Sequence, residues 1–139
     1  RISHAWEVYA SYAWIPKARV DKGASDGTTL LQGEMVGARP GLTPRHTGTL
    51  WTTYQLDGQW RVGGGLNMRS RMSPQQAPTI EAPDYVTADL MAEYAWTRQL
   101  LFKLNVTNVT NKRYADALYR GHYIPGAPRT TQLTASYKF

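Results

Sequence analysis

The feature that most constrains this chain is a strict alternation of apolar and polar residues, which occurs six times along the sequence. In the segment WEVYASYAW every second residue from Trp6 to Trp14 is apolar or aromatic, while Glu7 and Ser11 lie between them. Alternation with a period of two indicates a β-strand with two chemically different faces. The predicted strands are 4–15, 47–56, 59–68, 86–96, 100–106 and 131–139. No segment has the pattern of a long amphipathic helix, so the chain is predicted to be all-β.

The average hydropathy excludes a helical membrane protein but allows a membrane barrel. The mean hydropathy is −0.49, and no stretch approaches the ~18 consecutive apolar residues of a spanning helix. In a barrel only every second residue meets lipid, so the average stays polar. The chain has five Trp and nine Tyr against two Phe, and no Cys. Trp and Tyr are favoured where one end of the ring contacts water and the other an apolar surface. The absence of Cys excludes disulfides and thiolate metal sites.

The charged residues of the strands fall on the polar face. The inward-facing candidates are Arg61, Arg69, Asp89, Glu93 and Lys103. They are expected either to make polar contacts with neighbouring wall residues or to form a solvated lining. The net charge of +6 comes from scattered Lys and Arg residues without a basic run, so nucleic acid is not an expected partner.

The connections between the strands alternate strictly between short and long. Positions 57–58 and 97–98 are tight turns, whereas 16–45, 69–85 and about 108–128 are long and rich in Gly, Pro, Asp and Arg. All short turns therefore lie at one end of the sheet and all long loops at the other. This asymmetry is typical of outer-membrane barrels, which have short periplasmic turns and longer extracellular loops.

The aromatic residues of the apolar face are predicted to lie at two heights. Those at the short-turn level are Trp6, Tyr54, Trp60, Tyr94, Trp96 and Tyr137, joined by the terminal Phe139; those at the other level are Tyr12 and Trp14. A bilayer interface favours Trp and Tyr at the headgroup boundary, whereas the core of a soluble sandwich has no reason to arrange rings by height. Lipid and lipopolysaccharide are therefore expected neighbours of this face.

Six strands are too few to close a membrane barrel, since the smallest has about eight and open edges are not tolerated in lipid. Either the molecule oligomerises, or the chain is the C-terminal portion of a longer protein. The second is the expectation because no start methionine or signal sequence precedes the first strand, and residues 1–139 would then form one piece of barrel wall. Two alternatives remain: a soluble β-sandwich module that binds a carbohydrate-type ligand, and an outer-membrane hydrolase. The hydrolase is disfavoured because the three histidines are far apart and lack catalytic spacing, so no enzyme activity is expected.

Three strings carry a family resemblance: PRHTGTLWTTYQL (44–56), LNVTNVTNKRYAD (104–116) and GAPRTTQLTASYKF (126–139). In this order they resemble the closing portion of TonB-dependent siderophore receptors of the ferrichrome and ferric-hydroxamate type. The resemblance implies the last six or so strands of a 22-stranded antiparallel transmembrane β-barrel in the bacterial outer membrane. It also implies a plug domain and a TonB-contacting segment, neither of which is in this sequence, and import of ferric siderophores driven through TonB. The plug is a further expected contact of the inward-facing charged residues.

The resemblance also implies site residues. Iron is expected only inside the siderophore ligand, with no resident cofactor or metal. Aromatic and basic residues of the last long loop are the candidate ligand contacts: Tyr119, Tyr123, Arg120 and His122. The terminal Phe139 resembles the signal read by the outer-membrane assembly machinery. Asn108, Asn111 and Lys112 are expected to shape the exit of a strand into this loop, because Asn side chains hydrogen-bond locally.

Overall fold

The computed structural model describes residues 1–22, 36–74, 80–119 and 122–139, with Tyr119 described by its backbone alone. Its strands are β1 (Trp6–Trp14), β2 (His46–Gln55), β3 (Trp60–Arg69), β4 (Tyr85–Ala95), β5 (Leu100–Thr107), β6 (Ala115–Tyr119), β7 (His122–Pro125) and β8 (Thr130–Tyr137). The all-β prediction is confirmed, and six of these strands match the six predicted ones to within a few residues. Within the described ranges, no helix is long and apolar enough to cross a membrane.

Six strands form one antiparallel sheet in the order β1-β2-β3-β4-β5-β8. The register pairs Trp6 with Tyr54 and Trp60 with Tyr94. Because paired residues share a face and alternate residues point to opposite faces, the whole sheet has one apolar face and one polar face. The apolar face carries Leu50, Leu66 and Leu90, each about half exposed at 42–52%. A single layer that exposes such a face requires an apolar environment to cover it.

The two short connections, 56–59 and 96–99, are closed by capping side chains. The Oδ1 atom of Asp57 accepts backbone hydrogen bonds from Gln59 at 2.8 Å and Trp60 at 2.7 Å. These bonds lower the pKa of Asp57. Its contribution to stability is therefore complete above the ordinary pKa and is lost only as the pH falls through the lowered value. The hydroxyl of Thr97 accepts the equivalent bonds from Gln99 and Leu100 in the second turn.

The last long connection differs from the prediction, which treated 108–128 as a loop without strands. Strands β6 and β7 pair within it as a separate two-stranded antiparallel sheet. They are five and four residues long, and their register shifts between Ala115 and Ala117. So short and irregular a pair gives little periodic signal, and the proline that ends β7 argues against a strand in the sequence.

The C-terminal strand ends at Tyr137, two residues before the predicted end. The backbone N–H of Lys138 still donates to the carbonyl of Gln99 at 2.9 Å. The Phe139 ring meets the Tyr137 ring edge to face at a centroid distance of 5.4 Å. The terminal ring is fully exposed. Because Lys138 still bonds to Gln99 in the short turn, Phe139 lies at the short-turn end of the sheet although it is outside the strand.

A cluster of buried apolar side chains lies at the long-connection end of the sheet, in addition to Met91, which is buried within β4. Met72, Ala82, Ala115 and Leu118 form one cluster. It joins the β3–β4 connection, where Met72 and Ala82 form an isolated bridge, to the β6–β7 hairpin. The two long connections therefore pack together as one unit, called here the two-loop unit: residues 70–74, 80–84 and 108–129 as far as they are described.

Candidate functional site

Arg69, at the end of β3, holds the β6–β7 hairpin against the polar face of the sheet. Its guanidinium donates to the backbone carbonyl of Asp116 at 2.6 Å and to that of Ala115. The same group lies 4.9 Å from the ring centroid of Tyr85, close enough for a cation–π interaction. Although Arg69 was a candidate for a solvated lining, its side chain serves as a tether between the sheet and the hairpin.

Tyr114 fills the space between the sheet and the returning chain. Its ring packs on the Tyr85 ring at a centroid distance of 4.3 Å, and Gly126 lies so close to it that a Cβ there would overlap the ring. The backbone N–H of Gly126 donates to the carbonyl of Tyr114 at 2.8 Å. Burial and the nearby charge of Asp116 raise the pKa of the Tyr114 phenol, so this ring is neutral at physiological pH.

Asn108 clamps the two ends of the last connection together. Its side-chain amide donates to the carbonyls of Lys112 and Ala127, each at 2.9 Å, and its Oδ1 accepts the N–H of Lys112 at 2.8 Å. Asn108 is buried and has a left-handed φ of 49°, a region that Asn tolerates better than most residues. Asn111, with φ 51°, accepts the N–H of Arg129. The prediction that these residues shape the strand exit is confirmed.

Asp89 connects this clamp to the sheet. One carboxylate oxygen accepts the backbone N–H of Asn108 at 2.8 Å, and the other accepts the side-chain amide of Asn67 at 3.1 Å. A carboxylate bonded on both oxygens is held in one orientation. Asp89 therefore contacts neighbouring wall residues, one of the alternatives that the sequence left open.

A cavity of about 580 Å³ opens within the two-loop unit. Its apolar lining includes Ile80, Pro83 and Leu118, and its polar lining includes Lys112 and Arg113. The volume lies within the range of ~300–1,000 Å³ that is usual for small-molecule sites. Sequence reasoning assigned none of these five residues to a cavity, and Lys112 was expected only to shape the strand exit. The available signal was the basic pair Lys112–Arg113 in the string NKRY.

The structure describes only some of the predicted ligand contacts in full. His122 and Tyr123 line this cavity, and Tyr123 is 69% exposed. Tyr119 pairs through its backbone with His122 at the end of the hairpin, and Arg120 lies outside the described residues. Their contact with a ligand stays a prediction.

A row of alternating charges crosses the polar face near the short-turn end. The register places Arg61 opposite Glu93 and Glu93 opposite Lys103. The ion pairs measure 3.9 Å for Arg61–Glu93 and 3.1 Å for Lys103–Glu93, and Arg61 also pairs with Glu7 at 3.2 Å. Opposite charges facing each other across strands contribute roughly 0.2–1 kcal/mol each. Wall neighbours therefore satisfy these side chains, while any contact with a plug stays a prediction.

The aromatic side chains of the apolar face lie at the two predicted heights. Trp60 packs on Tyr94 at 4.6 Å, and Tyr94 meets Trp96 edge to face at 6.2 Å. At the opposite end Tyr12 and Trp14 both stack on His46. A polar residue between the two levels, Thr52, is satisfied by Trp6 and by the carbonyl of Glu7. Contact of these rings with lipid headgroups stays a prediction.

Comparison with known proteins adds three findings. The profile of the family described as "TonB dependent receptor-like, beta-barrel" matches residues 2–111. The probable TonB-dependent siderophore receptor PiuA of Acinetobacter baumannii is 30% identical over 99% of this chain and 19% of its own length. Its crystal structure superimposes with a TM-score of 0.83 at 27% identity, covering 99% of this chain and 20% of that one.

Two further relatives differ in the ligand that their names state. The catecholate siderophore receptor Fiu of Escherichia coli is 32% identical over 99% of this chain and 18% of its own length; its closed-form structure has a TM-score of 0.77 at 30% identity, covering 99% of this chain and 19% of that chain. The ferrioxamine receptor of Yersinia enterocolitica is 32% identical over 74% of this chain and 16% of its length. The chain thus spans about a fifth of the length of these relatives.

Proposed function

Because the chain belongs to the TonB-dependent receptor-like β-barrel family, we propose that the whole protein imports ferric siderophores across the outer membrane with energy supplied through TonB. The observation that carries this proposal is the family match over residues 2–111 on a sheet whose apolar face is exposed. Family membership locates the chain in the outer membrane as barrel wall. The relatives named above are receptors, so neither the hydrolase nor the soluble sandwich gains support.

Iron uptake by the whole receptor tests this function. A host that lacks its own siderophore receptors is expected to take up radioactive iron from a ferric siderophore only when it produces this receptor and a functional TonB. The matched control is the same host with its TonB inactivated. Uptake that persists without TonB, or no uptake from any ferric siderophore, would contradict the proposal.

The chemical class of the siderophore is the finer part of the proposal. The resemblance in sequence implies a hydroxamate, and one relative is named a ferrioxamine receptor while another is named a catecholate receptor. Both classes are therefore candidates. Binding measured with one ferric tris(hydroxamate) and one ferric tris(catecholate) separates them.

The remaining partners are proposed on the same basis. In the whole receptor, the charge row of Arg61, Glu93 and Lys103 faces the lumen, where a plug would lie. A segment outside this sequence would contact TonB. The exposed aromatic bands would meet lipid and lipopolysaccharide, since Trp and Tyr favour the headgroup boundary.

Deleting Phe139 is expected to lower the amount of assembled receptor several-fold while leaving its affinity for ligand unchanged. The fully exposed ring lies at the opposite end of the sheet from the two-loop unit, so it is available to an assembly factor and remote from the ligand contacts. Folded receptor in outer-membrane fractions and siderophore affinity per folded receptor are the two measurements. Phe139→Tyr is the matched control that keeps the ring. Normal assembly with weakened binding would contradict the prediction.

A further inference from the structure

We propose that a cavity between the first and second long connections is a binding site for a phosphate group of lipopolysaccharide, the lipid of the outer leaflet. The inference rests on the outer-membrane location of the family and is independent of the ligand that the whole protein imports. Three features of the cavity carry it: its charge, its position beside the apolar face of the sheet, and its fixed framework.

The lining of this cavity, which has a volume of about 660 Å³, is cationic. Three arginines contribute to it, Arg39, Arg45 and Arg71, and the acidic residue among the lining residues is Glu81. Glu81 pairs with Arg71 at 3.6 Å, whereas Arg45 is exposed and forms no ion pair with any described residue. Guanidinium groups recognise phosphate through paired, charge-assisted hydrogen bonds. The lining therefore has the charge and the donor groups that a phosphate requires.

Two residues of the lining belong to the apolar side of the sheet. His46 and Ser70 both line the cavity, and they lie opposite each other because the N–H of Ser70 donates to the carbonyl of His46 at 2.9 Å. The pair Leu50–Leu66 lies four residues further along both strands. Because alternate residues of a strand share a face, His46 and Ser70 are on the face that carries these leucines. The cavity therefore lies next to the surface that lipid chains would cover.

The aromatic residues beside His46 indicate the height of the cavity in the membrane. The hydroxyl of Tyr12 is hydrogen-bonded to Nδ1 of His46 at 2.7 Å, and the Trp14 ring stacks on the imidazole at a centroid distance of 6.4 Å. Trp and Tyr favour the headgroup boundary, and the long connections of outer-membrane barrels are extracellular. At this height the neighbouring lipid is lipopolysaccharide, whose sugar backbone carries phosphates. Basic pockets of membrane proteins bind anionic headgroups in this way.

Hydrogen bonds within the chain join the walls of the cavity. Arg39 donates to the carbonyls of Ile15 at 2.6 Å and Thr43 at 2.9 Å, which holds the two ends of the first long connection together. The N–H of Leu42 donates to the carbonyl of Ser73 at 2.8 Å, which joins this connection to the second one. A site that needs no ordering on binding retains more of its interaction energy as affinity.

Lipid binding to the whole receptor, purified in detergent and freed of bound lipopolysaccharide, tests the inference. The probes are lipid A (the phosphorylated anchor of lipopolysaccharide), lipid A from which the phosphates have been removed, and phosphatidylglycerol. Native mass spectrometry counts the bound lipid over a titration. Wild type is expected to bind phosphorylated lipid A roughly five- to tenfold more tightly than either of the other lipids, as for two partly exposed charge contacts.

The double variant Arg45→Gln/Arg71→Gln is expected to lose this preference and to bind lipid A with and without phosphates within about twofold, because the two changes remove the same interaction. Arg39 is kept because it holds the ends of the first long connection together. The matched control is Lys112→Gln/Arg113→Gln, which removes the same charge from exposed positions outside this cavity. The control should keep the wild-type preference for phosphorylated lipid A.

Equal binding of phosphorylated and dephosphorylated lipid A by wild type would overturn the inference. A preference that Arg45→Gln/Arg71→Gln retains, or that the control loses to the same extent, would overturn it too. Equally tight binding of phosphatidylglycerol would overturn the assignment to lipopolysaccharide in favour of a general phospholipid headgroup, and full displacement of lipid A by an equal concentration of inorganic phosphate would overturn it in favour of the free anion. None of these outcomes bears on TonB-dependent uptake, which tests the proposed function separately.

Discussion

Replacing Gly126 by alanine is expected to lower the affinity of the whole receptor for its ferric siderophore about tenfold, equivalent to ~1.4 kcal/mol, with normal assembly. A Cβ at this position would overlap the Tyr114 ring, which is also packed against Tyr85. The ring has to move, and the hairpin that starts at Ala115 moves with it. Because Gly126 lines the same cavity as His122 and Tyr123, the predicted ligand contacts, the displacement distorts that cavity directly.

Two measurements separate this effect from a general loss of folding. Siderophore affinity per folded receptor should fall, while the protease sensitivity of the hairpin on intact cells should rise. The matched control is Gly58→Ala in a short turn, where a Cβ would meet nothing within 4 Å, and both readouts should stay at wild-type values. Unchanged affinity and unchanged protease resistance in Gly126→Ala would show that Tyr114 is not held by this contact.

The strands could be predicted from the sequence because the two faces of a barrel wall contact different environments, lipid on the outside and a polar interior on the inside. Lipid selects apolar residues such as Leu50 and Leu90, and the polar interior permits Arg61 and Glu93, so every strand carries the same period. The pairing register of the strands could not be predicted in this way. The sequence places Arg61, Glu93 and Lys103 on one face, but the ion pairs follow only once Glu93 is known to lie opposite both cations.

The two-loop unit could not be predicted because its contacts join segments that are distant in sequence. Met72 and Leu118 belong to one buried cluster, yet neither lies in a periodic segment. Arg69 is the last residue of β3, and its alternation indicates an inward direction without indicating that backbone carbonyls of the hairpin are its acceptors. By contrast, the side chain of Asn108 bonds to residues of its own loop. Local hydrogen bonds of this kind can be predicted from the sequence.

Replacing Gly65 by alanine is expected to reduce folded receptor in the outer membrane several-fold, because the sheet has no room for a side chain at this position. Gly65 lies opposite Trp51 on the polar face. A Cβ would overlap the Trp51 ring and come within 2.9 Å of the backbone carbonyl of Leu50. Overpacking of this kind costs about 1–3 kcal/mol, and a strained wall strand slows assembly as well as lowering stability.

The neighbouring glycine supplies the control, since Gly64 points to the opposite face. A Cβ there would lie 3.3 Å from the flexible end of Leu90, so Gly64→Ala should assemble at near wild-type levels. The double variant Trp51→Ala/Gly65→Ala removes the overlapping ring and should recover part of the loss, leaving the approach to the Leu50 carbonyl as the remainder. Folded and unfolded receptor are quantified by their difference in electrophoretic mobility before and after heating. Equal abundance of Gly64→Ala and Gly65→Ala would mean that Trp51 turns aside freely and that the close approach of β2 and β3 does not depend on glycine.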